Sequence, residues 1–225
     1  MKLTSVLRLT IAALVCMSVP VMGDPFTVVY DTVAPGHDYY FSLNSGASYS
    51  WTRAGVYNLD ISATDPGDMV TDGDYESFCI DVWDYAGTGY DYKDVVLEDA
   101  PDYFSGGMGS GKAGKIAYLL DSYWNDSYLT GVNANKNAAA LQLAIWEIVA
   151  EGEATYGLEI GSFRATDYGT NDARTLADTW LSSLGTGNVG NYIALTSSTK
   201  QDYVVRVPVP GAVLLGMLGL GYAGV

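Results

Sequence analysis

The hydrophobic pattern of this chain changes its period twice, and this limits the possible folds more than any other feature. Residues 26–30 are rich in β-formers, and residues 39–43 and 57–61 alternate apolar with polar side chains, which predicts strands. From residue 113 the apolar positions recur every three or four residues, which predicts helices, and strand-like patterns return at 192–195 and 203–207. This order predicts an α+β domain with helices gathered at one end or face of antiparallel sheets.

The helical part of the chain contains a strongly apolar segment. Helices are predicted over residues 113–124, about 135–150 and 171–184. In the second of these, Leu141 and Ile145 belong to an apolar stripe at helical spacing, which predicts a side that faces the core. Gln142 lies beside this stripe, one turn before Trp146. We therefore expect the Gln142 carboxamide at the border of a buried helix face.

A further strand is predicted over residues 78–83. Side chains of successive strand residues point to opposite faces of a sheet. Cys79, Asp81 and Trp83 therefore share one face, while Phe78 lies on the other, more apolar face. The sequence thus predicts that the Cys79 thiol lies outside the most apolar face of its own strand.

Composition excludes several classes of function. Apolar residues make up 48% of the chain and charged residues 16%, which is typical of a folded domain rather than a disordered segment. The net charge of −15 excludes nucleic acid as a favoured partner, because phosphate binding needs a basic surface. With one histidine and one cysteine expected in the mature chain, a zinc site is not expected. We expect no metal and no cofactor.

The N-terminus has the pattern of a secretory signal at residues 1–23. Lys2 and Arg8 precede or flank an apolar stretch that is too short to span a bilayer, and Gly23 provides a small residue before a cleavage site. The pattern predicts an exported protein in the cell envelope or at the extracellular surface, with a mature domain at 24–207.

The other end of the chain is also apolar. Residues 208–225 combine Pro208 and Pro210 with a run rich in glycine and leucine. This segment resembles the PEP-CTERM sorting tail, although the basic cluster that closes such signals is missing. The resemblance implies processing by an exosortase-type enzyme and a membrane anchor, at least a transient one.

The mature chain contains one cysteine, because Cys16 lies in the predicted signal. A single cysteine forms no internal disulfide, so the Cys79 thiol in an exported chain needs another explanation. A thiol and a carboxamide held in contact by a fold can condense to an internal thioester and release ammonia. Gln142, 63 positions after Cys79, supplies such a carboxamide.

Two short motifs carry a family resemblance. The run Phe78-Cys79-Ile80-Asp81 and the run Gln142-Leu143-Ala144-Ile145-Trp146 resemble the two reactive elements of bacterial surface thioester domains. The resemblance implies an antiparallel β-sandwich or barrel with a helical subdomain. It also implies that Cys79 and Gln142 form the thioester. Asp81, Trp83 and Trp146 would support the pocket, and Tyr85 and Trp124 are further candidates to shield the bond from water.

The function expected from these residues is covalent cell adhesion rather than catalysis. A partner amine or hydroxyl would attack the Gln142 acyl carbon and release Cys79, which is a single-use reaction without turnover. The expected partner is a protein or polysaccharide of a surface or matrix.

Two other functions stay open. The many tyrosines and tryptophans could form the stacking surface of a non-covalent matrix-binding or carbohydrate-binding module. Cys79 could also pair with His37, which follows the turn-like Pro35-Gly36, as a cysteine hydrolase. In structural terms alone, Cys79 is typical of a small buried apolar residue and Gln142 of an exposed helix residue.

Two weaker motifs are better explained by ordinary loop structure. Asp65, Asp68, Asp72 and Asp74 form an acidic loop that could bind calcium, but their spacing differs from an EF-hand, so turns and solvation are predicted. Residues 106–112 are rich in glycine but lack the order of a phosphate-binding loop, so a flexible connection is predicted there.

Overall fold

A computed structural model describes residues 24–152, 156–167 and 172–207. The predicted signal at 1–23 and the predicted sorting tail at 208–225 lie outside the described residues. The described chain is mixed α/β, with an antiparallel sheet of seven strands and a few helices. The strands are β1 (Phe26–Ser42), β2 (Ser50–Ser62), β3 (Gly73–Cys79), β4 (Gly89–Val96), β5 (Arg164–Asp167), β6 (Tyr192–Thr196) and β7 (Tyr203–Arg206). The helices are α1 (Gly109–Tyr123), α2 (Asp126–Leu129), α3 (Ala134–Ala150) and α4 (Ala173–Leu181).

The strand pairings of the sheet form a closed ring. Neighbours follow the order β2, β3, β7, β6, β4, β1 and β5, and β2 also pairs with β1. Strand β1 pairs with three other strands. It pairs with β2 along most of its length, with β4 near its start and with β5 at its end. The ring therefore runs through six strands, and β5 is added outside it.

The continuous strand β1 corrects one expectation. The sequence predicts separate strands on either side of a turn-like segment at His37, whereas His37 pairs with Ala54 inside β1. A register shift between Val33 and Gly36 accommodates the irregular segment without ending the strand. Gly55 faces this segment, and a Cβ there would collide with the carbonyl of Pro35, so only glycine allows the close approach.

Helix α3 lies at the centre of the molecule. Every residue from Ala138 to Val149 is buried, so the helix is covered on all sides rather than on one stripe. It packs against β1, β2 and β3 on the sheet and against α1, α2 and α4 among the helices. The position of α3 was predicted to within a residue or two, but its surroundings make even Gln142 and Glu147 fully buried.

Two predicted elements have different bounds in the structure. Strand β3 ends at Cys79, so Asp81 and Trp83 belong to the following loop rather than to a strand. Helix α1 begins at Gly109, so the glycine-rich segment predicted as a flexible connection is partly helical. Within the described residues, none of the helices is both long enough and apolar enough to cross a membrane.

Candidate functional site

The end of β3 and the middle of α3 meet at Cys79 and Gln142. Both residues are fully buried. The backbone N–H of Cys79 donates to Oε1 of Gln142 at 2.9 Å, and Nε2 of Gln142 donates to the carbonyl oxygen of Cys79 at 2.7 Å. The carboxamide therefore pairs with the backbone of the cysteine at both of its polar atoms. Cys79 and Gln142, 63 positions apart in the sequence, are therefore in direct contact.

The strand geometry explains why this glutamine is needed. The last residue of β3 that pairs with β2 is Ser77, whereas Cys79 still pairs with Tyr203 of β7. On the β7 side the donor is Ile80, whose N–H reaches the carbonyl of Asp202 at 2.9 Å, so the N–H and C=O of Cys79 point away from β7. The Gln142 carboxamide makes the two hydrogen bonds that β2 would make if it continued to pair with β3 at this point. It satisfies two buried backbone groups that would otherwise have no partner.

The Cys79 thiol makes its own contact within the following loop. Its Sγ donates to the carbonyl oxygen of Asp81 at 2.8 Å, and the Asp81 N–H points back at the sulfur from 3.4 Å. Burial raises the pKa of Cys79 well above its usual range, and the nearby Asp81 carboxylate raises it further. The indole N–H of Trp146 opposes this rise. The thiol is therefore protonated at neutral pH.

Trp146 lies beside the sulfur and is almost completely buried. Its ring packs near Phe41 and Phe163, with centroid distances of 6.3 and 6.4 Å. Its indole N–H is directed at the Cys79 sulfur. Trp146 thus covers the thiol and directs a hydrogen-bond donor at its sulfur.

Asp81 is buried, and only one of its two carboxylate oxygens is hydrogen-bonded within the described residues. Its Oδ1 accepts from the Trp83 N–H at 2.8 Å, while Oδ2 has no hydrogen-bond partner among the described residues. Burial raises the pKa of Asp81 to about 6. The loop after Cys79 therefore carries a carboxyl that is mostly ionised at neutral pH.

Sequence reasoning missed a second buried carboxyl near the thiol. Asp202, just before β7, accepts from the backbone N–H groups of Ser197 and Asp102 at 2.8 and 2.7 Å. Burial raises the pKa of Asp202 to about 8, so this group is mostly protonated at pH 7. Nothing local signals such a residue, because an aspartate before a strand is normally exposed.

The other aromatic residues predicted to shield the bond play different parts. The Trp83 ring is half-buried and stacks on Tyr103, with a centroid distance of 4.2 Å. Trp124 packs edge-on against Phe78, on the face of β3 opposite to Cys79. Tyr85 is 85% exposed and shields nothing. Of the expected shields, Trp146 therefore lies beside the sulfur, and Tyr85 and Trp124 do not cover it.

An open pocket lies next to the buried pair. Its volume is about 300 Å³, and its lining includes Trp51, Tyr85, Trp146 and Gln201. Neither Cys79 nor Gln142 lines the pocket. Gln201, also missed by sequence reasoning, donates from Nε2 to the Asp81 carbonyl at 3.2 Å, the same oxygen that accepts from the thiol. The pocket is thus separated from the sulfur by one layer of side chains.

The residues of the alternative sites lie elsewhere. The ring of His37 contacts the carbonyl of Asp38 and the ring of Tyr39, and none of its contacts within the described ranges reaches Cys79. In the acidic loop, Asp72 accepts from Thr64 and Asp68 accepts from the Asp65 N–H, so these carboxylates hold the turn. No cluster suited to a metal ion occurs among residues 24–152, 156–167 and 172–207.

The chain matches no protein-family model, no curated protein and no solved structure.

Proposed function

We propose that this chain is an exported surface protein whose Cys79 and Gln142 form an internal thioester for covalent attachment to a partner. The observation that carries the proposal is the two-point contact between the Gln142 carboxamide and the Cys79 backbone in a fully buried site. Such a contact holds the acyl carbon beside the residue that carries the nucleophile. We further infer that the closed ring of strand pairings is the β-sandwich or barrel implied by the resemblance, with α1 to α4 as its helical subdomain.

Formation of the thioester would join the Cys79 sulfur to the carboxamide that the Cys79 backbone holds. The Cys79 sulfur attacks the Gln142 carbonyl carbon, the carbon–nitrogen bond breaks, and Nε2 leaves as ammonia after taking up the thiol proton. The Cys79 N–H donates to Oε1 and would stabilise the negative charge that develops there. Asp81, mostly ionised at neutral pH, is the group we assign to carry the proton from sulfur to nitrogen.

The same contacts explain why the bond would store energy. Loss of Nε2 leaves the Cys79 carbonyl oxygen without its donor, and an unpaired buried polar group costs about 1–3 kcal/mol. The sulfur must also leave its hydrogen bond to the Asp81 carbonyl. Burial beside Trp146 would then protect the thioester from water until a partner arrives.

Attachment to the partner would use the thioester once. An amine or hydroxyl of the partner attacks the Gln142 acyl carbon, the carbon–sulfur bond breaks, and the proton of the nucleophile passes to Cys79. The product is an amide or ester between Gln142 and the partner, with a free thiol. We propose the cell envelope or the extracellular surface as the location, on the basis of the predicted signal and sorting tail.

The mass of the intact purified protein tests this proposal. We expect the mature chain to be lighter than its sequence by one ammonia. Methylamine should then add to the protein and release one titratable thiol. Cys79→Ala and Gln142→Ala should each abolish both effects, and His37→Ala is the matched control that should keep them. A folded protein of unmodified mass, which does not react with methylamine, would contradict the proposal.

A further inference from the structure

Strand β2 has an open backbone edge at the pocket. On one side β2 pairs with β1 from Ser50 to Ser62, but on the other side it pairs with β3 only from Tyr57 to Ile61. No other strand of the described residues pairs with the first part of β2. If β3 continued in the same register, residues 82–84 would lie opposite residues 52–50. Both segments instead line the pocket, which is therefore the gap that β3 leaves along β2.

The neighbouring strands show which backbone groups of β2 face this gap. The N–H of Ala165 in β5 donates to the Leu158 carbonyl, so it points away from β1. Because the backbone groups of opposite residues in an antiparallel pair point either both towards each other or both away, Phe41, opposite Ala165, directs its N–H and C=O away from β5 and towards Ser50 of β2. Successive strand residues alternate, so the N–H and C=O of Trp51 point away from β1 and into the gap.

An open strand edge is a template for a further strand. Ser50 and Trp51 are both exposed, so a partner can reach this edge. An extended peptide that adds to such an edge gains main-chain hydrogen bonds, and the surroundings of its alternate side chains determine specificity. Strand β3 runs antiparallel to β2 up to the gap. A peptide that continues this arrangement would also be antiparallel to β2.

The two faces of the gap differ in chemistry. Phe41 and Trp146 both line it, and their ring centroids are 6.3 Å apart, so a peptide side chain that points inward meets apolar rings. Ser50 is opposite Phe41 and shares its face, so the next residue, Trp51, lies on the outer face. The lining residue Tyr85 is 85% exposed. The gap thus suits a peptide that alternates apolar inner side chains with outer side chains suited to aromatic rings.

The charge of the gap favours basic outer side chains. Asp84 is the one charged residue in the lining, and neither lysine nor arginine is found there among the described residues. Arg53, the next residue of β2, forms an ion pair with Asp38 at 3.0 Å. A lysine or arginine of the peptide can approach the Asp84 carboxylate and can lie over the ring of Trp51. The net charge of −15 also attracts a basic partner.

We propose that this gap binds an extended, basic segment of a partner protein, which adds to β2 as an antiparallel strand. The peptide residue opposite Trp51 exchanges both backbone hydrogen bonds with it and shares its outer face, so this residue is basic. Its neighbours in the peptide are apolar and point towards Phe41 and Trp146. The binding is non-covalent, does not depend on the thioester and goes beyond the proposed function.

A synthetic peptide tests the open edge. The probe is a fluorescein-labelled peptide of eight residues that alternates lysine and valine. Fluorescence polarisation follows its binding to wild-type protein treated with methylamine, so that no thioester reacts with lysine. We expect saturable binding. Methylation of the lysine backbone nitrogens should weaken binding about ten-fold or more, because these N–H groups face β2. Methylation of the valine backbone nitrogens is the matched control and should weaken binding much less.

The charge preference is tested with a peptide of the same length that alternates glutamate and valine. It should bind about ten-fold or more weakly than the lysine peptide, because its carboxylates meet Asp84.

Variants of the protein test the same edge from the other side. Trp51→Pro removes the N–H that faces the gap, which β1 does not use, and should abolish peptide binding. Trp51→Val loses the ring but retains the N–H, so it should bind more tightly than Trp51→Pro. Tyr90→Ala should bind like the wild type, because Tyr90 is 75% exposed but does not line the gap. If Trp51→Pro unfolds, the two methylated peptides decide the question without it.

Three results would overturn the proposal. They are the absence of saturable binding by the lysine peptide, equal affinities of the two methylated peptides, and a glutamate peptide that binds as tightly as the lysine peptide. The assay does not involve the thioester, so its outcome is independent of the mass measurement. A protein of unmodified mass that binds the peptide in this way would refute the proposed function and retain the peptide groove.

Discussion

Helix α3 carries two fully buried polar side chains, Gln142 and Glu147, and they differ in how many of their polar atoms are hydrogen-bonded. Both polar atoms of Gln142 are paired with the backbone of Cys79. Glu147, five residues later, accepts one hydrogen bond from the Gly157 N–H at 2.7 Å and leaves its Oε2 without a partner in the described part of the chain. Burial raises the pKa of Glu147 to about 8.

The difference between these two sites is one of chemical complementarity. A carboxamide offers a donor and an acceptor side by side, as a neighbouring strand does, so it fits the open edge of β3. A carboxylate offers only acceptors, and a single backbone N–H does not compensate for its burial. The first site is therefore specific to glutamine, whereas the second is tolerated at a cost that depends on pH.

The largest effect is expected when the paired site is broken. Gln142→Leu leaves the N–H and C=O of Cys79 buried without partners, which should destabilise the fold by about 2–6 kcal/mol. The substitution is best made in the Cys79→Ala protein, where no thioester can form. Urea unfolding compares it with Cys79→Ala alone. Equal midpoints would mean that the carboxamide contact contributes nothing to stability.

A closer replacement at the same position sharpens this test. In Gln142→Glu, on the same background, a protonated carboxyl can donate to the Cys79 carbonyl and accept from the Cys79 N–H, whereas an ionised carboxylate can only accept. The stability of this variant should therefore be close to that of its parent at low pH and fall as the pH rises.

An intermediate effect is expected at Glu147. Its folded pKa of about 8 lies above its ordinary value of 4.5, so the folded state retains a proton that the unfolded state loses. This contribution to stability is full below about pH 4.5 and is lost as the pH rises to about 8. Glu147→Gln keeps an acceptor for the Gly157 N–H without the charge. Its melting temperature should exceed that of the wild type at pH 8 and converge with it at pH 4.

The control for Glu147→Gln is the same change at an exposed position. Glu98 is exposed, so Glu98→Gln should alter the melting temperature by a similar small amount at every pH. Asp202, whose pKa is also raised to about 8, should maintain some pH dependence in both variants. If the melting temperature of Glu147→Gln followed the same pH dependence as that of the wild type, the raised pKa of Glu147 would be contradicted.

The smallest effect concerns the charge beside the thiol. The Asp81 carboxylate helps to raise the pKa of Cys79, so Asp81→Asn should shift the pH profile of thiol alkylation to lower pH. The measurement uses the Gln142→Ala background, in which the thiol is free. Asparagine can still accept from the Trp83 N–H, so the loop is conserved. An unchanged profile would mean that the charge of Asp81 does not act on the sulfur.

The local sequence pattern predicted those elements whose tertiary contacts favour the same conformation. Residues 135–150 combine helix formers with apolar spacing, and α3 has nearly those bounds. Residues 78–83 alternate like a strand, yet β3 ends at Cys79, two residues after its pairing with β2 has ended at Ser77. The turn-like segment at His37 is part of β1 because β2 pairs along it.

The amino-acid sequence by itself determined the mixed α/β class, the main helices and the prediction that Cys79 and Gln142 are paired. Only the tertiary structure decided that these residues touch, that Gln142 replaces a missing strand, and that Gln201 and Asp202 border the site. The physical reason is that hydrophobic period and turn residues act over a few positions, whereas a buried polar contact depends on which backbone groups distant segments leave unpaired.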